Sequence, residues 1–267
     1  MMSNIHPTAI IDPKAALGKN ITIGPFCIVG PDVTLGDNVE LKSHVVIEGR
    51  TTLGAACRVF PFASIGHAPQ DLKYRGEPSE LIIGKNNTIR EHVTMNPGTE
   101  SGGMKTVIGD DGLFMVGVHV AHDCVVGNRV IMANNATLAG HVRVGNNVLV
   151  GGLSAVHQFV RIGDFAVIGG MSGVESDVIP YGRVKGERAH LAGLNLVGLE
   201  RGGFEKGTVK TLQKVMRELF DGAGTLDERL DTLSQAYQSD SAVMQMIEFA
   251  RHRERFGLCR PDSAKAA

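Results

Sequence analysis

An aliphatic side chain returns at every sixth residue through most of this chain, and that interval excludes the ordinary ways of folding. The first run is Ile11, Leu17, Ile23, Val29, Leu35, Leu41, Ile47, Leu53, Val59 and Ile65. After an interruption come Ile83, Ile89 and Met95, and a third run keeps step from Ile108 through Phe114, Val120, Val126, Met132, Leu138, Val144, Val150, Val156, Ile162 and Ile168 to Val174. A helix repeats near 3.6 residues and a strand alternates at 2, so neither produces this beat. A stacked repeat does.

A second, smaller inward residue falls four positions after each aliphatic one: Ile21, Cys27, Val33, Val39, Val45, Thr51, Cys57 and Ala63, then Val118, Cys124, Val130, Ala136, Val142 and Val148. Between them lie polar corners such as Gly-Lys-Asn and Gly-Asp-Asn, residue types that accept positive φ where the backbone turns sharply. Three short strands and three corners close a triangular coil of eighteen residues. Stacked coils pair backbone to backbone about 4.8 Å apart, which predicts a mainly β fold, a parallel β-helix of hexapeptide repeats.

Two excursions break the beat. Residues 68–80 are polar and cannot supply the inward pair, yet the phase resumes intact. Residues 96–105 shift it by one and are rich in Gly and Ser. Both read as external loops, and long loops on compact repeats are more often functional than idle. The repeat stops near Pro180, which places the prism at residues 1–187. From about Arg188 the pattern reads as helical through residue 258, with an amphipathic stretch at 205–220, a capping box at Thr225 and Glu228, and apolar spacing of three and four over 242–255. Residues 259–267 read as a frayed tail.

The 267 residues carry a formal net charge of −1 and no Trp, so neither a nucleic-acid footprint nor stacking on bases is expected. Residues 1–8 (MMSNIHPT) lack a signal-peptide core and no segment reads as membrane-spanning, which predicts a cytoplasmic protein. Cys27, Cys57 and Cys124 fall on inward positions and are expected as core packing in a reducing compartment, not as disulfides.

The histidines between His44 and His157 all fall on outward positions. With eighteen residues per coil, His122, Gly140 and Gln158 stack in one column, and Asp123, His141 and Phe159 in the next. Two imidazoles, an exposed glycine amide and a carboxamide then converge within about 10 Å, with His119 on the preceding corner. His titrates near neutrality, a carboxylate can hold its tautomer, and a glycine amide can approach a developing oxyanion, so the cluster suits general-base chemistry. Asp123 is equally compatible with an ordinary surface acid. Cys124 faces inward, where a buried thiol is no nucleophile. Zinc held by His119, His122 and His141 is the rival reading. On the helical part, Lys206, Lys210, Lys214 and Arg217 share one face, either a solvated surface or a dock for an acidic partner.

Residues 23–31 (IGPFCIVGP), 41–47 (LKSHVVI), 70–78 (QDLKYRGEP), 119–128 (HVAHDCVVGN), 134–142 (NNATLAGHV) and 154–163 (SAVHQFVRIG) resemble the acyl-carrier-protein-dependent UDP-N-acetylglucosamine O-acyltransferases that open lipid A synthesis. The likeness runs from about His6 to Phe204. It implies a left-handed β-helix, an exception to the usual crossover rule, with a small C-terminal α-helical domain, and a homotrimer with active sites between prisms. It implies no cofactor beyond the phosphopantetheine of acyl carrier protein, and no metal.

By that resemblance His122 is the general base toward the glucosamine 3-hydroxyl of UDP-N-acetylglucosamine, Asp123 holds its ring, and the Gly140 amide receives the oxyanion. His119, His141 and His157 would line the sugar and acyl pocket, and Asp71 and Lys73 would contact the sugar nucleotide with Gln158. Asn195 and Arg201 match nucleotide-end contacts, and Gly170 matches an acyl-length ruler at which Gly leaves room for a longer chain. The chain departs from the pattern at Val197, where members carry an acid, and at Gly202, where they carry a second arginine. The basic face at Lys206, Lys210, Lys214 and Arg217 would receive acyl carrier protein. The competing readings are a trimeric zinc carbonic anhydrase, a noncatalytic trimerisation scaffold, and the related N-acyltransferase, whose additional N-terminal domain does not precede the repeat here.

Overall fold

The computed structural model describes residues 3–253 and 255–262. Residues from about Asn4 to Lys185 wind into coils whose strands align in register with the coil above and below. Thr22 and Ile23 pair with Glu40 and Leu41, which pair in turn with Arg58 and Val59, all parallel. Three walls result, sheets of 11, 9 and 8 strands. Most strands are only two residues long, because a hexad leaves four residues for the corner and the approach to the next wall.

The inward positions form one continuous core. Ile23, Val29, Leu35, Cys57, Val118, Cys124, Met132 and Val150 are all buried. The first coil is the exception: Ile11 is only partly buried and Leu17 is 37% exposed, since only one neighbouring coil covers an end rung. The four cysteines are free and buried, as the hexad phase predicts for three of them. Burial pushes the Cys124 thiol up to about 12.

Corners take the left-handed conformation at their third residue, and many of those residues are not Asn. Phe26, His44, Phe62 and His92 all have φ between 57° and 66°, which costs ~1–2 kcal/mol for a residue with a Cβ. Stacking down the column offsets that strain, with ring centroids 5.0, 5.2 and 5.2 Å apart along the four residues. The same conformation recurs at Asp123, His141 and Phe159, so three candidate-site residues form one outward column.

The excursions are loops, as their composition predicts. Ile65 pairs with Met95 and Met95 with Val120, so the coils stay in register beneath both insertions. The second loop contains a short 3-10 turn at Glu100–Gly102.

Strand Gly182–Lys185 ends the prism, and where the pattern suggested helix from Arg188 the structure has a further strand, His190–Leu194, antiparallel to it. They close the open edge of the last coil, which backbone pairing demands more strongly than local propensity. Helix α1, Leu196–Arg201, follows, with Gly198 and Gly202 obscuring its periodicity. Helices α2 (Lys206–Asp221), α3 (Leu226–Ala236) and α4 (Ser241–Arg251) pack on one another, and the capping box at Thr225 and Glu228 is present. Arg161 on the prism holds α4 with its guanidinium 4.5 Å over the Phe249 ring, while its Nε donates to Asp177 Oδ2 at 2.8 Å.

The segment expected to fray is tied down as far as it is described. Leu258 bridges to Asp177, Pro261 bridges to Leu191, and Cys259 is buried. Residues 263–267 lie outside the described residues.

Candidate active site

Counting by eighteen stacks His122 over Gly140, and the structure has that contact. A Cβ built on Gly140 would lie 2.6 Å from His122 Cε1 and 2.8 Å from Nε2. Only a residue without a side chain admits the imidazole there. Gly140 O accepts from Phe159 N at 3.1 Å, but no hydrogen bond among the described residues uses the Gly140 N–H.

Asp123 is buried, and its carboxylate is the most heavily partnered group of the site. Its Oδ1 accepts from Thr99 N at 2.8 Å, and its Oδ2 from Thr99 Oγ1 at 2.6 Å. Oδ2 also lies 2.8 Å from His122 Nδ1 and 3.8 Å from His141 Nε2. Burial pushes the carboxyl up, but the bonds from His122 and Thr99 outweigh it and hold Asp123 below its ordinary range. An ionised carboxylate only accepts, so Nδ1 carries a proton and, in the neutral tautomer this fixes, Nε2 is the nitrogen with the lone pair. The second loop supplies this arrangement: Gly102 passes so close that a Cβ would fall 1.9 Å from Asp123 Cγ. On the prism side, Asp123 N donates to Thr106 Oγ1 at 2.7 Å.

His141 stands edge-on to His122, centroids 5.1 Å apart, and stacks on Phe159 at 4.3 Å. Burial, and then the charge of nearby His122, lowers the pKa of His119. Burial is also the main cause of the lowered pKa of His141, partly opposed by Asp123. Both rings are therefore held toward the neutral, hydrogen-bonding form.

These groups open onto a cavity of about 700 Å³ lined by Asp71, Lys73, His122, His141, Gln158 and Arg255, among others. The first excursion thus delivers Asp71 and Lys73 to the same space as the stacked columns. His119 instead hydrogen-bonds Thr94 Oγ1 through Nδ1 at 2.7 Å, and exposed His157 packs edge-on against Phe256 at 5.4 Å. Gly170 is exposed, and a Cβ there would approach Gly152 O at 3.3 Å.

Asn195 and Arg201 lie elsewhere. They line a second cavity of about 400 Å³ with Arg129, Asn147, Val197 and Gly202. The two cavities share no lining residue. The Asn195 side chain is engaged locally, donating to Phe165 O at 2.8 Å and accepting from Gly198 N at 3.0 Å as the N-cap of α1. Lys206, Lys210, Lys214 and Arg217 are exposed along α2, with Lys214 3.7 Å from Glu218.

Among the described residues, one cluster has metal-ligating atoms close together, His122, Asp123 and His141, within 4.8 Å of one another. His119, which the zinc reading needs, is outside it, and the Asp123 oxygens already accept three hydrogen bonds. No helix among the described residues is long and apolar enough to cross a membrane.

A family described as bacterial transferase hexapeptide (six repeats) matches residues 14–49, and one described as UDP N-acetylglucosamine O-acyltransferase, domain 2, matches residues 177–259. The acyl-[acyl-carrier-protein]–UDP-N-acetylglucosamine O-acyltransferase of Caulobacter vibrioides is 56% identical over 97% of this chain and 98% of its own length. The chain belongs to the UDP-N-acetylglucosamine O-acyltransferase family. The protein of the same name from Thermodesulfovibrio yellowstonii is 49% identical over 97% of this chain and 100% of its own. A crystal structure of a UDP-N-acetylglucosamine acyltransferase superposes with TM-score 0.94 at 43% identity, covering 98% of this chain and 100% of the other. The chain is accordingly an acyltransferase of mainly β architecture with a small helical C-terminal part.

For this acyltransferase, Gly140→Ala is a direct test of the His122 contact. Gly140 has no positive φ, so the backbone accepts Ala, but the added methyl must displace the imidazole. Misplacing a group that acts on the substrate costs on the order of 10²-fold. Steady-state kinetics should show that loss in kcat, with the melting temperature within a few degrees of the parent.

Sequence reasoning missed Thr99, Thr106, Ser101 and Arg255. Thr99 and Ser101 belong to an insertion without periodicity, and Arg255 comes from the far end of the chain.

Proposed function

We propose that the protein transfers a 3-hydroxyacyl chain from the phosphopantetheine thiol of acyl carrier protein to the glucosamine 3-hydroxyl of UDP-N-acetylglucosamine, the first step of lipid A biosynthesis. One observation carries the reading: His122 Nδ1 is committed to Asp123, which leaves Nε2 as the base on a ring packed against Gly140, whose N–H is free. Nε2 removes the hydroxyl proton as the oxygen attacks the thioester carbonyl. The oxyanion accepts the Gly140 N–H, the C–S bond breaks, and the imidazolium returns its proton to the leaving thiolate. No covalent enzyme intermediate is needed, and the inward, high-pKa Cys124 offers none.

Asp71, Lys73 and Gln158 contact the sugar nucleotide, His119, His141 and His157 border the sugar and acyl groups, and Gly170 bounds the acyl chain. Asn195 and Arg201 serve the nucleotide end. Their cavity is separate from that of His122 within one protomer, which favours a homotrimer that sets one protomer's second cavity beside another's first, and the assembly works in the cytoplasm. The exposed face at Lys206, Lys210, Lys214 and Arg217 docks the acidic carrier.

Purified protein incubated with UDP-N-acetylglucosamine and a ladder of 3-hydroxyacyl carrier proteins should form the 3-O-acyl product with release of free carrier thiol, and chelators should leave the rate unchanged. Absence of transfer to any ladder member would sink the reading, and an activity that requires stoichiometric zinc would favour the rival.

A further inference from the structure

The cavity over His122 has a cationic wall that neither the hexad pattern nor the family resemblance contains. Arg255 comes from the segment after α4, and its guanidinium lies 3.6 Å from the centroid of the Phe159 ring. Phe159 stacks on His141, which stands edge-on to His122. Arg255 therefore ends an aromatic column that leads directly to the base. Its position is held from several sides. The neighbouring Phe256 ring packs on His157, Asp177 N donates to Gly257 O at 3.0 Å, and Cys259 N donates to Asp177 O at 2.7 Å.

Arg255 is exposed and makes no ion pair or hydrogen bond among the described residues, and the same holds for the Lys73 ammonium across the cavity. Two unpaired cations facing one space of about 700 Å³ form a site for a multiply charged anion. Stacking on Phe159 leaves the guanidinium edge free, and that edge matches two phosphate oxygens at once. Asp71, the acid on the same lining, is turned toward its own loop and accepts from Lys73 N at 2.9 Å.

We propose that Arg255 is a substrate-binding residue that clamps a phosphate-ester anion of a substrate against Lys73. The anion is the diphosphate of the sugar nucleotide or the phosphodiester of the carrier's pantetheine arm. This rests on the acyl-transfer reading. Arg255 also lowers the tendency of His141 to protonate, though less than burial does.

Arg255→Ala and Arg255→Lys are compared with the parent in steady-state kinetics, varying each substrate in turn, and in calorimetric titration with UDP alone. One charge-assisted bidentate contact predicts about a tenfold rise in KM for Arg255→Ala, with kcat changed less than twofold. Arg255→Lys, which keeps the charge and loses the planar stack, should fall between. A rise in KM for UDP-N-acetylglucosamine with weaker UDP binding assigns the anion to the nucleotide. A rise confined to acyl carrier protein, with UDP binding intact, assigns it to the pantetheine arm. Unchanged KM values for both substrates overturn the proposal, as does a parallel fall in kcat and melting temperature with KM unmoved, which would mark a packing role. If the parent transfers no acyl group at all, the acyl-transfer reading fails instead; an active parent with an indifferent Arg255→Ala refutes only the clamp.

Discussion

His122→Ala lowers kcat by a hundredfold or more while leaving the fold intact. The imidazole is only 15% exposed at its side chain, but it lies outside the hydrophobic core, so truncation costs little packing. The loss is chemical: without Nε2 the attacking hydroxyl keeps its proton, and general-base assistance typically contributes about 10²–10⁴-fold. A hundredfold corresponds to about 2.7 kcal/mol of transition-state stabilisation. The check is kcat for acyl transfer alongside a melting curve. A prism that served only as a scaffold would lose neither, so unchanged kcat would remove the general-base mechanism.

Asp123→Asn should cost nearly as much, through one proton. The carboxylate accepts three bonds, from Thr99 N on one oxygen and from Thr99 Oγ1 and His122 Nδ1 on the other. An amide has one accepting oxygen and one donating nitrogen. With its nitrogen toward Thr99 N, two donors face each other in a buried site. With its oxygen there, the nitrogen donates to His122 Nδ1, and the ring must then carry its proton on Nε2. That tautomer cannot act as the base. The expected loss in kcat is about 10²–10⁴-fold, with KM for the sugar nucleotide nearly unmoved because Asp123 lies beneath the cavity lining rather than in it. Activity within threefold of the parent would show that Asp123 is packing alone.

The legible parts of this molecule are those written in its period. Every inward aliphatic position from Ile23 to Val174 was readable from the six-residue beat, and each is buried. Only the end rung departs, at Ile11 and Leu17, because burial there depends on how many coils flank a position. The stacking of His122 on Gly140 and of His141 on Phe159 followed from the eighteen-residue coil. The strands at Gly182–Lys185 and His190–Leu194 were not readable, since they answer to the open edge of the last coil rather than to their own residues. The bridges at Leu258 and Pro261 belong to the same class.

Thr99 reaches Asp123 from a loop with no repeat phase, and Arg255 reaches Phe159 from the far end of the chain. No local pattern encodes either contact. The amino-acid sequence alone determined the prism, its core and the columns in which the candidate-site side chains stand, because side-chain direction in a hexad depends only on position within the repeat. The tertiary structure decided which proton His122 carries, what holds Asp123, and which charges face the cavity. Those depend on loops and a returning C-terminal segment whose contacts are set by the surfaces they meet, not by any period of their own.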